Sequence, residues 1–162
     1  MNELMIYQVF PLRALTDGQP SHGILEMIDW IQHIKKLGMN AVYFSPVFSS
    51  SDHGYDTKDY QKIDERLGTN EDFKKMCDAM HEEGIQVILD GVFNHVGREF
   101  FAFEDVKEKK WDSPYKDWFY INFDGNSCYD DGSGTKDGKD ILNLDQIETL
   151  LCTTKQGFRK FI

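Results

Sequence analysis

Apolar and polar positions alternate along this chain with two different periods, and the changes of period predict its elements. Residues 5–10 are apolar or aromatic except at Gln8 and run into Pro11, the pattern of a short strand stopped by proline. Residues 13–23 read as loop. Ile24, Leu25, Ile28, Ile31, Ile34 and Leu37 then recur at helical spacing, with Lys35 and Lys36 in the last turn and Gly38 as the stop. That spacing predicts an amphipathic helix of about three to four turns.

Residues 41–46 form a second apolar run closed by Pro46. A strand, a helix and a strand within about forty residues imply a parallel sheet with a right-handed crossover. Residues 49–60 are polar and read as a loop at the end of that strand. The next helix is signalled by Thr69 as its cap, by Asp72 at the position of a capping box, and by an apolar face of Phe73, Met76, Cys77 and Met80, with Gly84 as its end. Cys77 and the methionines on that face are expected as core filling. Residues 85–92 follow as a third strand within Val87-Ile-Leu-Asp-Gly-Val-Phe-Asn-His95. A buried parallel strand that delivers Asp90, Asn94 and His95 at its C-terminal end has the pattern by which an α/β barrel presents functional side chains on its rim.

After Gly97 the periodicity fails for about forty-five residues, a length that a compact domain does not leave unstructured without a reason. Aromatic residues crowd the first half, from Phe100 to Phe123, and residues 124–140 are rich in Gly, Asp and Ser. We read an excursion domain with a small aromatic core and a loose tip. Most of the aromatics are expected to pack, with Trp111 or Trp118 as candidates to face a sugar ring. Residues 141–145 predict a brief strand. Residues 150–162 form a weak helix in which Thr153, Thr154 and Gly157 are poor formers.

Composition narrows the partners. With 162 residues and 40% hydrophobic content the chain can build a core. Its 28 acidic against 18 basic residues give a net charge of −10, which repels phosphate backbones and anionic lipid and argues against nucleic-acid or membrane partners. Cys77, Cys128 and Cys152 are odd in number and lack C-x-x-C spacing, which favours a reducing compartment and no zinc site. No apolar run approaches membrane-spanning length and no leader pattern opens the chain, so a cytoplasmic protein is expected. His22, His33 and His81 have no partner cluster in sequence and read as surface or helix-end residues.

Ile6-Tyr-Gln-Val-Phe-Pro11, Ala41-Val-Tyr-Phe-Ser-Pro46, His53-Gly-Tyr-Asp-Thr-Lys-Asp-Tyr60, Leu67-Gly-Thr-Asn-Glu-Asp-Phe73 and Asp90-Gly-Val-Phe-Asn-His95 together resemble the α-amylase family of glycoside hydrolases, in the family's order. Phe93-Asn-His-Val-Gly97 and Asp117-Trp-Phe119 look closest to its neopullulanase and cyclomaltodextrinase branch. The resemblance implies an α/β fold, a partial (β/α)8 TIM barrel of about three βα units with an excursion domain inserted after strand three. It divides the chain into barrel units over residues 1–97, the inserted domain over 98–145, and the start of the third helix over 146–162.

The resemblance also implies an α-glucan substrate and a retaining double displacement. It casts His95 and Tyr55 as sugar ligands in the subsite before the scissile bond, Asp56 as a residue near the same sugar, and Asp90 as the partner of an arginine from a fourth strand. Asn94 matches a position that ligates calcium in many members, so no cofactor is required and calcium is optional. The paired carboxyl groups of a retaining hydrolase stand about 5 Å apart and belong on strands four and five, beyond Ile162. We therefore expect an N-terminal part of a hydrolase, inactive by itself, that binds an α-glucan oligosaccharide and covers its open sheet edges with the rest of the barrel or by self-association. A non-catalytic glucan-binding domain is the alternative. Metal-dependent hydrolysis by Asp90, Asn94 and His95 is the weaker third reading, because one histidine without a second cluster is a poor ligand set.

Overall fold

A computed structural model describes residues 3–93 and 95–119 of the chain. Its elements are β1 (Ile6–Val9), α1 (Pro11–Ala14), α2 (Met27–Lys36), β2 (Ala41–Phe44), β3 (Phe48–Ser50), β4 (Thr57–Ile63), α3 (Asn70–Glu82), β5 (Gln86–Leu89) and α4 (Phe101–Lys109), with 3-10 turns at Gly23–Glu26, Lys110–Asp112 and Lys116–Trp118. The expected strand at 141–145, the helix at 150–162 and Asn94 lie outside the described residues. Among those residues no helix is long and apolar enough to cross a membrane.

The three expected strands form one parallel sheet of order β1-β2-β5. Its register sets Tyr7, Val42 and Val87 in one row and Val9, Phe44 and Leu89 in another. Side chains alternate between faces, so these rows share a face. Val9, Val42 and Phe44 are buried there with Met27, Ile31 and Ile34 of α2 and Met76 and Met80 of α3, and Tyr7 and Val87 pack against them. The opposite face carries Ile6, Gln8, Tyr43 and Ile88, and Ile6 is 47% exposed.

Contacts divide the chain into two compact units, one of Met1–Gly54 and Asp59–Gly91, the other of Tyr55–Lys58 and Val92 onward. The first holds the parallel sheet with α2 and α3 against it. The second has a small core of its own, in which Val96, Phe100, Ala102, Phe103, Val106 and Phe119 are buried.

Several elements differ from what periodicity predicts. Pro11 does more than stop β1, because it stands at the first position of α1, where a missing N–H costs nothing. The helix expected from Ile24 begins as a 3-10 turn at Gly23–Glu26 and becomes α-helical from Met27. The polar stretch 49–60 is not all loop, since β3 and β4 pair there as a two-stranded sheet whose alternation is too polar to read as strand. β5 is shorter than the buried strand expected over 85–92 and, among the described residues, lies at a sheet edge, half-exposed. Beyond Gly97, where no period is legible, α4 forms all the same, burying Ala102, Phe103 and Val106.

Candidate functional site

Tyr55 and His95, forty positions apart, are drawn together in the second unit. The His95 Nε2 lies 2.8 Å from the Tyr55 carbonyl oxygen. A carbonyl only accepts, so the ring donates from Nε2, and in the neutral imidazole Nδ1 is left as the acceptor. Two residues further on in each segment, the Gly97 N–H donates to the Thr57 carbonyl at 2.7 Å. A Cβ at Gly97 would run into the Asp56 carbonyl oxygen, so glycine is required by this close approach. Tyr55–Lys58 and the segment after Val92 are thereby clasped backbone to backbone, and an ion pair of Lys58 with Glu99 at 3.7 Å lies beside the clasp.

Within the clasp, Asp56 and Thr57 are buried and Tyr55 is 39% exposed. An aromatic side chain with a solvent-facing surface, held by its own carbonyl against an imidazole, is suited to meet the apolar face of a sugar ring. The Nε2–H of His95 is engaged by backbone and Nδ1 is buried, so a sugar hydroxyl reaching this ring must displace the bond to the Tyr55 carbonyl.

Asp90 belongs to the first unit. It follows β5 directly, its N–H donates to the Phe44 carbonyl at 2.9 Å, and its residue is half-buried. The parallel ladder thus continues one residue past β5 and fixes the Asp90 backbone at the C-terminal end of the sheet, where a barrel carries its functional groups.

The loop that leads from β3 towards Tyr55 is anchored by a network for which the sequence carries no periodic signal. Arg66 clamps both Asp64 oxygens, Nε and Nη2 each at 2.7 Å. The same Nη2 donates to Ser50 Oγ at 2.8 Å and Nη1 to the Asp52 carbonyl at 2.6 Å, while Ser50 N and Oγ each donate to Asp64 Oδ2 at 3.0 Å. Burial pushes the Asp64 carboxyl up, but the Arg66 side-chain and backbone hydrogen bonds, its charge and the Ser50 N–H outweigh burial and leave it below the ordinary carboxylate value. A bidentate arginine with all three of its nitrogens donating holds geometry as well as charge. Gly54, at φ 96, turns the loop where a Cβ would press on Leu12 and Pro46.

His22 lies at the surface as expected, its side chain 70% exposed, but it has a partner. Its Nδ1 sits 2.6 Å from Asp72 Oδ2, the carboxylate that closes the capping box of α3. His33 lies edge-on to Tyr7 at 6.2 Å. Cys77 packs against the core, and burial raises its thiol pKa, which keeps it protonated and unreactive.

Asn94, the position at which the resemblance makes calcium optional, lies outside the described residues. Among the described residues no group of three or more His, Cys, Asp or Glu side chains is placed to hold a metal.

Comparison with known proteins bears on the family and the fold. A family model described as the alpha amylase catalytic domain matches residues 8–140. The chain is 48% identical over 157 residues to a cyclomaltodextrinase from a Bacillus species, covering 80% of this chain and 28% of that protein. It is 42% identical over 141 residues to neopullulanase 2 of Thermoactinomyces vulgaris, covering 74% and 24% respectively. The chain therefore spans about a quarter of the length of these curated relatives. Among solved structures, the debranching enzyme of Nostoc punctiforme superposes with a TM-score of 0.68 at 36% identity, over 82% of this chain and 32% of that one. The cyclic alpha-maltosyl-(1→6)-maltose hydrolase of Arthrobacter globiformis, in complex with maltose, superposes with a TM-score of 0.66 at 36% identity, over 76% and 33%.

Proposed function

The chain belongs to the α-amylase family of glycoside hydrolases, and on that premise we propose that its residues build one side of an α-glucan subsite in a retaining hydrolase. The observation that carries this reading is the clasp of Tyr55 to His95. Tyr55 stacks against a pyranose ring and His95 contacts a hydroxyl of the same sugar, with Asp56 next to it in the chain. Asp90 receives an arginine from a following strand and positions that arginine without transferring a proton. The nucleophile and the acid/base carboxyl group are not among these residues in this reading. The excursion over 98–145 is an inserted domain, with calcium at Asn94 optional.

Hydrolysis by double displacement needs two carboxyl groups at close range. These 162 residues alone are accordingly expected to bind maltooligosaccharides without turning them over. Calorimetric titration with maltotriose should show saturable binding in the millimolar range, weakened by His95→Gln and by Tyr55→Ala. Incubation with cyclomaltodextrin should release no reducing sugar. Absence of saturable binding sinks the subsite, and steady turnover sinks the assignment of the catalytic carboxyl groups elsewhere. Relatives named for cyclomaltodextrin and pullulan favour α-glucans as the ligand class.

A further inference from the structure

Rings and hydrogen-bonding groups that the clasp does not use meet on one face of the second unit. Phe101, Asp105 and Lys109 follow one another on α4 at four-residue intervals and so share one side of the helix. The Phe101 ring stands edge-on to Tyr115 at 5.4 Å and to Trp118 at 6.1 Å, and Phe100 braces it at 4.7 Å. Tyr115 and Trp118 in turn meet at 5.0 Å. Held by these neighbours, Phe101 is still 46% exposed, and Trp111 in the following turn is 49% exposed. A ring that is immobilised and yet nearly half in water offers the C–H face of a pyranose a flat surface that needs little further ordering.

Polar groups lie on the same side of the helix. Asp105 pairs with Lys109 and accepts from Ser113 Oγ at 2.6 Å, while the Tyr115 N–H donates to the same Ser113 oxygen at 3.1 Å. Hydrogen bonds from Lys109 and then from Ser113 hold the Asp105 carboxyl below its ordinary value, so it remains an acceptor. A carboxylate and an ammonium side by side match the donor and acceptor pattern of adjacent sugar hydroxyls. Lys110 ends α4 at φ 50, a left-handed conformation costly for a side chain with a Cβ, and Lys116 Nζ ties down the Trp111 carbonyl at 2.7 Å. Backbone strain at that reversal coincides with the exposed ring.

We propose that Phe101 and Trp118, with Asp105 and Lys109, form a second, non-catalytic contact site for an α-glucan, built from a stretch of chain that supplies none of the clasp. The proposal rests on the reading that this protein handles α-glucans. The occupant is a neutral, flat-faced sugar polymer: the chain's net charge of −10 disfavours polyanions, and an aromatic face edged by a carboxylate and an ammonium suits a polyol better than an aliphatic partner.

The test follows tryptophan fluorescence of the full chain during titration with maltoheptaose, alongside calorimetry. Phe101→Leu keeps apolar packing but removes the flat ring, and Lys109→Ala removes a hydroxyl contact at an exposed position. Each should weaken the fluorescence-detected event by about five- to tenfold, while His95→Gln leaves that event in place. Unchanged curves for Phe101→Leu and Lys109→Ala overturn the second site, and the clasp survives if His95→Gln still weakens calorimetric binding. No saturable binding by the unsubstituted chain overturns both. A Phe101→Leu change in oligomeric state with unchanged glucan binding assigns this face to a second copy of the chain and also overturns the proposal.

Discussion

Asp72 shows how one carboxylate can be held by both near and distant groups. Its Oδ2 accepts from the Thr69 N–H at 3.0 Å and the Thr69 hydroxyl at 2.9 Å, and His22 Nδ1 lies at 2.6 Å. The His22 hydrogen bond first, then those from Thr69, lower its pKa from 3.8 to about 2. A group whose folded pKa is depressed contributes stability that is fully present above its unfolded value and is lost as pH falls through the folded one. The urea midpoint of the unsubstituted chain should therefore fall as pH drops from about 4 to about 2, and Asp72→Asn should flatten that limb. Parallel midpoint curves for the two proteins over this range would show that the carboxylate is not so held. Thr69 and Asp72 were legible in sequence because a capping box is a fixed local spacing. The His22 contact spans fifty positions and leaves no periodic trace, as with Arg66, Asp64 and Ser50, whose network is assembled by the β3 and β4 pairing.

At the scale of elements, apolar periodicity located α2, β2, α3 and β5 because each buries one face on a common core. It missed β3 and β4, which are polar, and α4, whose aromatic residues mask its period. The candidate site was legible as residue types, Tyr55 and His95 included, but the sequence does not say that their segments are joined through carbonyls of Tyr55 and Thr57. Gly97 makes that junction possible. Gly97→Ala should cost about 1–3 kcal/mol, the range for forcing extra atoms into a packed position, read as a lower urea midpoint together with weaker maltotriose binding. A variant as stable as the parent and equally competent would mean that the two segments tolerate a wider separation.

For the molecule as a whole, the parallel sheet has β1 and β5 at its edges among the described residues, and Leu4, Met5 and Ile6 are exposed beside it. Unpaired strand edges with apolar flanks recruit other strands. The 162-residue chain in isolation should therefore show concentration-dependent association by light scattering, and Ile6→Lys should reduce it. A monomer at all concentrations would show that another part of the chain shields the sheet. The division into units also bears on modular exchange. The unit that begins again at Val92 includes Tyr55–Lys58, a piece supplied from much earlier in the chain. A transplant of residues from Val92 onward into another scaffold would leave behind the Tyr55 and Thr57 carbonyls that receive His95 and Gly97. That unit is rooted at two places in the chain, and both must be moved together.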